Sequence, residues 1–333
     1  MIRAELQTAR LTLRPVTRDD EAVVVAALND IAVTGWLSVV PFPYTSADFQ
    51  HFLTEIAKPG ETFAVLDAAG LAGIIGAGRE FGYWVAPRIH GKGYATEATR
   101  AVLAAQLADD PTPVASGYFA GNLRSANVLR KLGFVETGRS EKYCRALGRD
   151  RPHVDMLITL DSFASTLPVE ARSERLTYRS MQAIDRDALY RIAAHWEVVR
   201  QLYSWPWPPD RDYTETRAAP YRGDGFAWGI FRDRCLVGTV AVTNGELGYF
   251  LTPEAWGQGF AGEACRKAID HAFATSDRSF LEAGAWADNA ASLHLLGKLR
   301  FRVVGNDLSW SQARQVETPG HLLRLDRADW PSA

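Results

Sequence analysis

Two short glycine-containing segments have the residue types and spacing to hold a phosphate. Gly91–Gly93 and Gly257–Gly259 each contain a Gly-x-Gly triplet directly before a stretch with helical periodicity. Glycine has no Cβ, so the backbone of such a turn can approach a ligand closely. Unpaired N–H groups at the start of a helix attract phosphate groups. Because this junction occurs twice in one chain, the sequence favours diphosphate binding over an ordinary tight turn.

A second interpretation of the later segment is a dinucleotide site. Gly257, Gly259 and Gly262 fit the spacing GxGxxG, and Glu282 lies at the distance after Gly262 where an acid that binds ribose is expected. Such a fingerprint usually follows the first strand of its domain, whereas this one comes about 80 residues into its half of the chain. The first copy also has Thr96 at the third glycine position. An NAD-binding module is therefore the less favoured alternative.

The elements that must position these turns occur twice in the chain. Four matches recur in the same order at a nearly constant offset, pairing Arg10–Arg14 with Arg175–Arg179, Glu80–Trp84 with Glu246–Phe250, Gly91–Ala98 with Gly257–Ala264 and Asn122–Phe134 with Asn289–Phe301. The offset is close to half of the chain, whereas solenoid repeats are only about 20–50 residues long, so it indicates duplicated domains. We predict domains at 1–163 and 174–333, with the Ser-, Thr- and Pro-containing segment Ser162–Ser173 as a linker.

Each copy has the pattern of a mixed α/β (α+β) domain. In the first copy, Arg10–Arg14 alternates as a strand, and Thr17-x-x-Asp20 predicts a capping box before a helix over Glu21–Leu28. Further strands are predicted at 63–66, 71–77 and 80–86, then a helix over 96–107; their counterparts are strands at 226–231, 236–243 and 246–251 and a helix over 262–273. We predict a mainly antiparallel sheet, flanked by helices, that opens beside the central helix.

Composition places the chain among soluble globular proteins. Of 333 residues, 47% are hydrophobic and 23% charged, and the net charge of −2 gives no basic footprint for nucleic acid. The longest apolar run, Ala22–Leu28, is far shorter than the roughly 20 residues of a membrane span. Three separated cysteines and no secretory pattern predict free thiols and a cytoplasmic location. The histidines lack metal-ligand spacing, so we expect surface or hydrogen-bonded core roles for His51, His153, His195, His271 and His321, and no metal site.

Tyr83–Ala98 and Tyr249–Ala264 resemble the acetyl-CoA-binding motif of the GNAT superfamily of N-acetyltransferases, in particular its RimJ/RimL-like branch. The family signature Gln/Arg-x-x-Gly-x-Gly/Ala falls on His90, Gly93 and Ala95, and on Trp256, Gly259 and Ala261, so neither copy has Gln or Arg at the first position. A second family block, Asn-x-x-Ser-x-Asn followed by Gly-Phe, matches Asn122, Ser125, Asn127, Gly133 and Phe134. In the second copy, His294 replaces the second Asn and Arg300 replaces the Gly.

The resemblance implies acetyl-CoA as the cofactor. The turn amides would hold the pyrophosphate, the backbone near Val85 and Leu251 would pair with the pantetheine arm, and asparagines of the following helix would contact the cofactor. The cofactor-binding residues expected from the resemblance are Val85, Gly91, Lys92, Gly93, Tyr94, Ala95, Thr96, Asn122, Asn127, Leu251, Gly257, Gln258, Gly259, Phe260, Ala261, Gly262 and Asn289.

The resemblance also implies direct attack of an amine on the thioester. Amines with a pKa near 8–10 are mostly protonated at neutral pH, so a base must take a proton. Glu80 and Glu246, at the start of the strand that leads to each turn, are the candidate bases; the alternative is a solvated carboxylate at a strand edge. Ser125 or Tyr143 would protonate the leaving thiolate, although Ser125 also fits a helix-start residue.

The acceptor is predicted only as a primary amine, either a protein N-terminus or a small molecule. The Pro-rich aromatic segments Trp36–Tyr44 and Tyr203–Pro209 would form its wall, or else pack between helices. The substitutions at His294 and Arg300 make the first copy the better candidate for catalysis. A domain that binds CoA without catalysis, for structure or sensing, is the alternative for the second copy. Oligomeric state stays open.

Overall fold

The computed structural model describes residues 5–331, and the chain divides into two compact units, with the boundary between Leu167 and Pro168. The first unit contains β1 (Leu6–Gln7), β2 (Thr12–Pro15), α1 (Glu21–Leu28), α2 (Ile31–Thr34), α3 (Ser46–His51), β3 (Thr62–Asp67), β4 (Gly70–Gly76), β5 (Gly82–Val85), α4 (Tyr94–Asp109), β6 (Val114–Phe119), α5 (Leu123–Leu132), β7 (Val135–Cys144), β8 (Arg149–Ile158) and α6 (Leu160–Ala164).

The second unit repeats this order. It contains β9 (Ala171–Arg172), β10 (Thr177–Ser180), α7 (Arg186–Ala193), α8 (Trp196–Val199), α9 (Arg211–Arg217), β11 (Gly225–Arg232), β12 (Cys235–Thr243), β13 (Glu246–Leu251), α10 (Phe260–Thr275), β14 (Phe280–Trp286), α11 (Ala290–Lys298), β15 (Arg302–Ser311) and β16 (Val316–Asp326).

The sheet of each unit opens between two neighbouring strands. In the first unit, β1 to β5 form an antiparallel sheet in chain order, β6, β8 and β7 form a second antiparallel sheet, and Glu80 and Ala115 make a parallel bridge between the two. In the second unit, β13 and β14 pair in parallel at Glu246 and Glu282 within one eight-stranded sheet. The predicted fold class, a mainly antiparallel sheet flanked by helices and open at one place, is confirmed.

The central helix of each unit packs its apolar face on the sheet. In α4, Ala98 and Val102 are buried four residues apart, as are Leu103 and Leu107, which is the helical periodicity of one buried face. In α10, the small residues Ala264 and Ala268 are fully buried, so the helix lies close to the strands. Both helices begin two residues before their predicted starts and end two residues after their predicted ends.

The entry to α1 is organised by a capping box and an ion pair. Thr17 and Asp20 form the predicted capping box, in which the Asp20 carboxylate accepts the Thr17 backbone N–H at 2.8 Å. Arg14 donates to both oxygens of the same carboxylate, at 2.9 and 2.8 Å. Burial opposes ionisation of Asp20, but the Arg14 and Thr17 hydrogen bonds outweigh it and lower the pKa of the carboxyl. The strand before the helix is therefore tied to the helix start.

The segment predicted as a linker, Ser162–Ser173, contains the boundary between the two units, but parts of it belong to regular elements. Helix α6 extends to Ala164, and strand β9 pairs with β10. Phe163 is fully buried and Leu167 is 6% exposed. Burial of these two large apolar side chains outweighs the polar composition on which the prediction relied, because each is worth about 1.5–3 kcal/mol.

Candidate active site

The glycine turn before α4 leaves backbone N–H groups free. Gly91 and Gly93 have φ of +76° and +79°, a left-handed conformation that residues with a Cβ rarely adopt. Gly93 is the N-cap of α4 and supplies no side-chain hydrogen bond to the first turn. A Cβ added at Gly91 would meet no atom within 4 Å, so the space above the turn is open. The geometry suits a phosphate group at this helix start.

The equivalent turn in the second unit has the same backbone. Gly257 and Gly259 have φ of +72° and +80°, and Gly259 caps α10 without a side-chain hydrogen bond. Gly257 and Gln258 are exposed, whereas the Phe260 side chain is 2% exposed in the core. Among the predicted residues of this turn, Phe260 therefore has only its backbone available to a ligand.

In each unit, an arginine near the first strands joins a carbonyl of the glycine turn to a glutamate of the following helix, and we call this set of contacts the clamp. The clamp was not predicted from the sequence. Arg10 Nη1 donates to the Lys92 carbonyl at 3.1 Å, and Arg10 forms an ion pair with Glu97 at 2.6 Å. The guanidinium also lies 4.4 Å from the centre of the Tyr94 ring. In the second unit, the same contacts join Arg175 to Gln258 (2.9 Å), Glu263 (2.8 Å) and the Phe260 ring (4.6 Å). The repeat of Arg10–Arg14 at Arg175–Arg179 was the available signal.

His90 and Trp256, which occupy the first position of the family signature, make the same kind of contact in their two units. His90 Nε2 lies 3.3 Å from the Val85 carbonyl oxygen, and Trp256 Nε1 donates to the Leu251 carbonyl at 3.0 Å. Both side chains can offer a ring N–H to the last carbonyl of the strand. An aromatic ring nitrogen at this position therefore ties the strand end to the glycine turn.

The open side of the first unit contains a cavity of about 580 Å³, within the usual size of small-molecule sites. It runs from the glycine turn along β5 and β6 to the segment Trp36–Val39 and the start of α5. The predicted site residues that line it are Glu80, Val85, Gly91, Gly93, Ala95, Thr96, Asn122 and Ser125. Asn127 is exposed on α5 and Tyr143 is 56% exposed on β7, and neither side chain lines the cavity.

Ser125 has two roles that the structure makes visible. Its Oγ lies 3.1 Å from Tyr83 Oη, and its backbone N–H donates to Asn122 Oδ1 at 3.2 Å. Asn122 is thus the N-cap of α5, and its side-chain oxygen is engaged in capping. Burial raises the pKa of Tyr83 to about 12, although the Ser125 hydrogen bond acts in the opposite direction. The pair is therefore a neutral hydroxyl network on the cavity wall.

The same network recurs in the second unit. Tyr249 Oη lies 2.8 Å from Ser292 Oγ, and the Ser292 backbone N–H donates to Asn289 Oδ1 at 3.1 Å. Burial raises the pKa of Tyr249, as it does for Tyr83. The tyrosines at these positions were not among the predicted site residues, although both lie in the repeated segments.

The two glutamates predicted as bases have different surroundings. Glu80 lines the cavity but is 63% exposed, and its Oε1 accepts a hydrogen bond from Lys142 Nζ at 2.6 Å. Glu246 has no lysine at the equivalent place, because Ser309 holds the position of Lys142 in the hairpin of the second unit. Loss of solvent around the carboxyl, and then repulsion from Glu282, raise the pKa of Glu246.

A histidine outside the predicted set lies in the wall of the cavity. His153 on β8 is 6% exposed, and its Nδ1 lies 2.9 Å from Asp155 Oδ1. The ring packs edge-on against Phe119, with centroids 5.7 Å apart. A Cβ at Gly117 would overlap His153 Cε1, so the ring occupies the space that this glycine leaves. The expectation of a hydrogen-bonded core histidine is confirmed, but it misses that His153 also lines the cavity.

In the second unit a tyrosine fills the corresponding space. Tyr203 stacks on Trp286 with ring centroids 3.9 Å apart, and its Oη lies 3.0 Å from where a Cβ of Gly284 or Gly320 would be. Tyr203 corresponds to Ser38: the backbone carbonyl of Ser38 accepts the Arg145 N–H, and that of Tyr203 accepts the Gln312 N–H, both at 3.0 Å. Ser38 lines the cavity of the first unit. The larger side chain therefore takes the place of open space.

Comparison with known proteins identifies this architecture. The model of the family described as "Acetyltransferase (GNAT) domain" matches residues 10–135 and again 175–302, which together exceed half of the chain. The chain belongs to the GNAT acetyltransferase family. The predictions of a GNAT acyltransferase and of two tandem GNAT domains are thereby confirmed.

Relatives of this GNAT acetyltransferase each match one stretch of it. The chain is 29% identical over 149 residues to the uncharacterized N-acetyltransferase p20 of Bacillus licheniformis, covering 40% of this chain and 82% of that protein. It is 30% identical over 147 residues to the uncharacterized N-acetyltransferase YoaA of Bacillus subtilis, with the same coverage. A solved structure that it resembles is spermidine N-acetyltransferase from Vibrio cholerae in complex with CoA and spermine, at 21% identity and a TM-score of 0.41, covering 47% of this chain and 99% of that one. Another is ribosomal-protein-S5-alanine acetyltransferase from Vibrio fischeri, at 18% identity and a TM-score of 0.42, covering 48% and 98%.

The dinucleotide-binding alternative does not fit this GNAT domain. A dinucleotide fold needs a parallel, doubly wound sheet with the glycine turn after its first strand. Gly257–Gly262 instead follows β13 in a sheet whose preceding strands are antiparallel. Glu282 lies on β14 beside Glu246, not at a ribose position.

Within residues 5–331, no helix combines the length and apolar character that crossing a membrane requires.

Proposed function

We propose that the chain is an acetyl-CoA-dependent N-acetyltransferase that moves the acetyl group to a primary amine by direct attack, with help from a general base. The observation that carries this proposal is the cavity of the first unit. It extends from the glycine turn at Gly91–Gly93, before the start of α4, to the side chains Glu80 and His153. A site for a diphosphate at one end and a base at the other is what acetyl transfer from CoA requires.

The residues around the turn fit the acyl donor. Acetyl-CoA supplies an activated acyl group as a thioester. The amides of the first turn of α4, after Gly93, suit its pyrophosphate, and the left-handed glycines keep side chains out of that space. The backbone of β5 near Val85 faces the cavity and is proposed to pair with the pantetheine arm. Asn122 and Ser125, at the start of α5, complete the proposed wall.

The reaction needs one base and one acid. A base takes a proton from the acceptor ammonium group, and the neutral amine then attacks the carbonyl carbon. As the C–S bond breaks, the second proton leaves the nitrogen and the departing thiolate becomes a thiol. The Ser125 and Tyr83 hydroxyls are hydrogen-bonded to each other on the cavity wall, whereas Tyr143 does not line the cavity, so we propose Ser125 as the proton donor. The base predicted from the sequence is Glu80.

We further propose that the first unit carries the transfer and that the second does not. Ser38 leaves the acceptor end of the first cavity open, whereas Tyr203 fills the equivalent space. The second turn keeps its open glycine geometry, so the second unit is proposed to bind CoA without catalysis. The functional boundaries proposed are 1–163 and 174–333.

The acceptor is proposed as a primary amine, either a protein N-terminus or a small-molecule amine. The start of the predicted wall, at Trp36–Val39, lines the cavity, while Tyr44 is 6% exposed in the core. Of that segment, only the first part lines the cavity, where it could contact an acceptor. The lining offers both aromatic surface and the Glu80 carboxylate, which suits an ammonium group beside an apolar stem.

The test is a calorimetric titration of the chain with acetyl-CoA, followed by a thiol-release assay with separate amines. Spermine, lysine and an alanine-initiated peptide represent the acceptor classes. We expect binding at two sites per chain and CoA release with at least one amine. A chain that binds no acetyl-CoA contradicts the proposal, and binding without transfer to any of the amines would favour a sensing role.

A further inference from the structure

We propose that His153, oriented by Asp155, is the general base of the first unit in place of Glu80. This inference rests on the proposed function, because it assigns one step of the proposed transfer. Both side chains line the same cavity, so the choice depends on their partners, their exposure and the chemistry of the donor each one meets.

The hydrogen bond to Asp155 determines which imidazole nitrogen can accept a proton. Partial burial opposes ionisation of Asp155, but hydrogen bonds from Ser140 and His153 outweigh it and lower the pKa of the carboxyl. An ionised carboxylate accepts only, so His153 Nδ1 must carry the proton that joins them. Nε2 is then an acceptor, and the described residues offer it no hydrogen-bond partner. A carboxylate that fixes the tautomer of a histidine is the arrangement that makes imidazole an effective base.

The imidazole ring of His153 fits where it does because Gly117 has no side chain. Gly117 on β6 leaves the space in which the His153 Cε1–Nε2 edge lies, and Gly117 is itself part of the cavity wall. Phe119 packs against the ring at an interplanar angle of 84° and restrains its rotation. The imidazole therefore has a fixed tautomer and a fixed orientation in a site with little solvent.

Glu80 is the weaker candidate on the same criteria. Its carboxylate is 63% exposed and its Oε1 is already engaged by Lys142 Nζ at 2.6 Å. A carboxylate oxygen that already accepts a hydrogen bond from an ammonium group is less free to accept a proton from a substrate. Glu80 is better placed to attract the acceptor ammonium group by charge.

The second unit has no equivalent of the histidine–aspartate pair. At the corresponding positions of its hairpin, it has Gly320 and Leu322. The sheet registers agree with this equivalence, because Phe119 pairs with His153 and Trp286 pairs with Gly320. The loss of the pair coincides with the Tyr203 side chain that fills the space. The histidine–aspartate pair and the open space beside it are thus both features of the first unit that the described part of the second unit lacks.

The proton balance is simple. The acceptor ammonium group gives one proton to His153 Nε2, and the freed amine forms the new C–N bond with the thioester carbon. When the C–S bond breaks, the second nitrogen-bound proton goes to the thiolate, and the imidazolium returns its proton to water. No oxidant or further reactant is needed.

The charged groups near His153 come from three elements. Asp155 and Arg151 lie on its own strand, Lys142 lies on β7, and Glu80 faces the cavity from the strand edge. At its contacts with β6, the residues are Gly117 and Phe119, which do not titrate. Of these charged groups, Asp155 is the one that is hydrogen-bonded to the imidazole ring.

The experiment compares His153→Gln, Asp155→Asn and Glu80→Gln in the full chain, with His321→Gln as the matched control. His321 lies on the equivalent hairpin of the second unit, where its Nδ1 contacts Asn306 Oδ1 at 2.9 Å. We expect His153→Gln to lower kcat about 10²–10⁴-fold, with KM for acetyl-CoA changed little. Glu80→Gln should lower kcat less than about tenfold and raise KM for the amine, and His321→Gln should change neither.

Two further measurements separate a chemical role from a structural one. His153→Gly should regain activity when imidazole is added, because imidazole can occupy the vacated space. In the wild-type chain, ¹⁵N spectra of the imidazole should show the proton on Nδ1, and Asp155→Asn should lose this preference. Acetyl-CoA binding by each variant, measured by calorimetry, reports whether it is folded.

The outcomes distinguish this inference from the proposed function. An active chain in which His153→Gln keeps its kcat, or in which the imidazole proton is on Nε2, overturns the inference and leaves the function intact. A loss of about 10²-fold or more in Glu80→Gln alone would assign the base to Glu80 instead. A wild-type chain that binds no acetyl-CoA overturns both.

Discussion

At the scale of single residues, the two units differ at the position held by Ser38 in the first and Tyr203 in the second. Ser38 and Tyr203 have the same backbone contact with the hairpin of their unit, but the first is small and the second is a large aromatic residue. Tyr203 Oη is buried without a hydrogen-bond partner among the described residues, and burial raises its pKa to about 12. A buried hydroxyl without a partner is unfavourable, so the stacking on Trp286 has to offset it.

The change Tyr203→Ser should open a cavity in the second unit and destabilise it. Truncation of a fully buried aromatic side chain costs about 3–5 kcal/mol. Because Tyr203 is only partly buried and relief of the unsatisfied hydroxyl returns part of the cost, we expect a loss of about 1–3 kcal/mol. Urea denaturation monitored by tryptophan fluorescence measures it, with Ser38→Ala as the control that removes little buried surface. A loss below about 0.5 kcal/mol would show that the tyrosine does not fill a packed space.

At the scale of elements, each central helix is attached to the strand region at the start of its unit by one arginine. Arg10 joins the Lys92 carbonyl to Glu97, and Arg175 joins the Gln258 carbonyl to Glu263. Burial opposes ionisation of Glu97, but hydrogen bonds from Thr8 and Arg10 lower the pKa of its carboxyl. The clamp holds the glycine turn against the helix start, where the phosphate is proposed to bind.

The change Arg10→Gln should weaken acetyl-CoA binding at the first unit by about tenfold, because the turn loses the hydrogen bond that fixes the Lys92 carbonyl. Calorimetry measures this, and Arg175→Gln should act on the second site alone. If either variant weakens both sites equally, the clamps do not act locally.

The same clamp predicts a pH dependence of stability. The pKa of Glu97 is lower in the folded state than in the unfolded state, where it is near 4.3. The stabilisation by the ionised carboxylate is therefore present above the unfolded-state pKa and is lost as the pH falls through the folded-state pKa. Arg10 is 46% exposed, so the contribution at neutral pH is at most about 1 kcal/mol. The difference in unfolding free energy between wild type and Arg10→Gln should therefore shrink below about pH 4. A difference that stays constant down to about pH 2 would contradict this origin.

At the scale of the whole molecule, the chain has two copies of one glycine turn, and a cavity adjoins the copy in the first unit. The backbone angles at Gly93 and Gly259 are nearly identical, and both helices start at the next residue. The regions beyond the turns have diverged, since the pair His153 and Asp155 has no counterpart in the second copy. Duplication therefore preserved the cofactor turn more closely than the acceptor side.

The matched changes Gly93→Val and Gly259→Val test this division of roles. Each places a Cβ where φ is +79° or +80° and an arginine Nη2 lies 3.6 or 3.4 Å away, so each should remove CoA binding at its own turn. We expect Gly93→Val to abolish transfer and Gly259→Val to leave most of it, measured by thiol release and by the number of sites in calorimetry. Equal loss of activity in both variants would indicate that transfer needs both turns.

The sequence by itself was sufficient for the features that depend on neighbours along the chain. The capping box at Thr17–Asp20, the helix before Asn29 and the hairpin of β3 and β4 follow from local periodicity and turn chemistry, which a short window contains. The glycine turns were found because they occur twice and because their backbone conformation is specific to glycine. The fold class follows from the order of these elements.

Only the tertiary structure decided which side chains meet in the site. His153 reaches the cavity because Gly117, on a different strand, has no side chain to block the ring, and Lys142 engages Glu80 from a distant part of the chain. Tyr203 and Trp286, which close the second site, are likewise far apart in the sequence. Such contacts depend on strand register and on packing between distant segments, and no local pattern in the sequence encodes either of them.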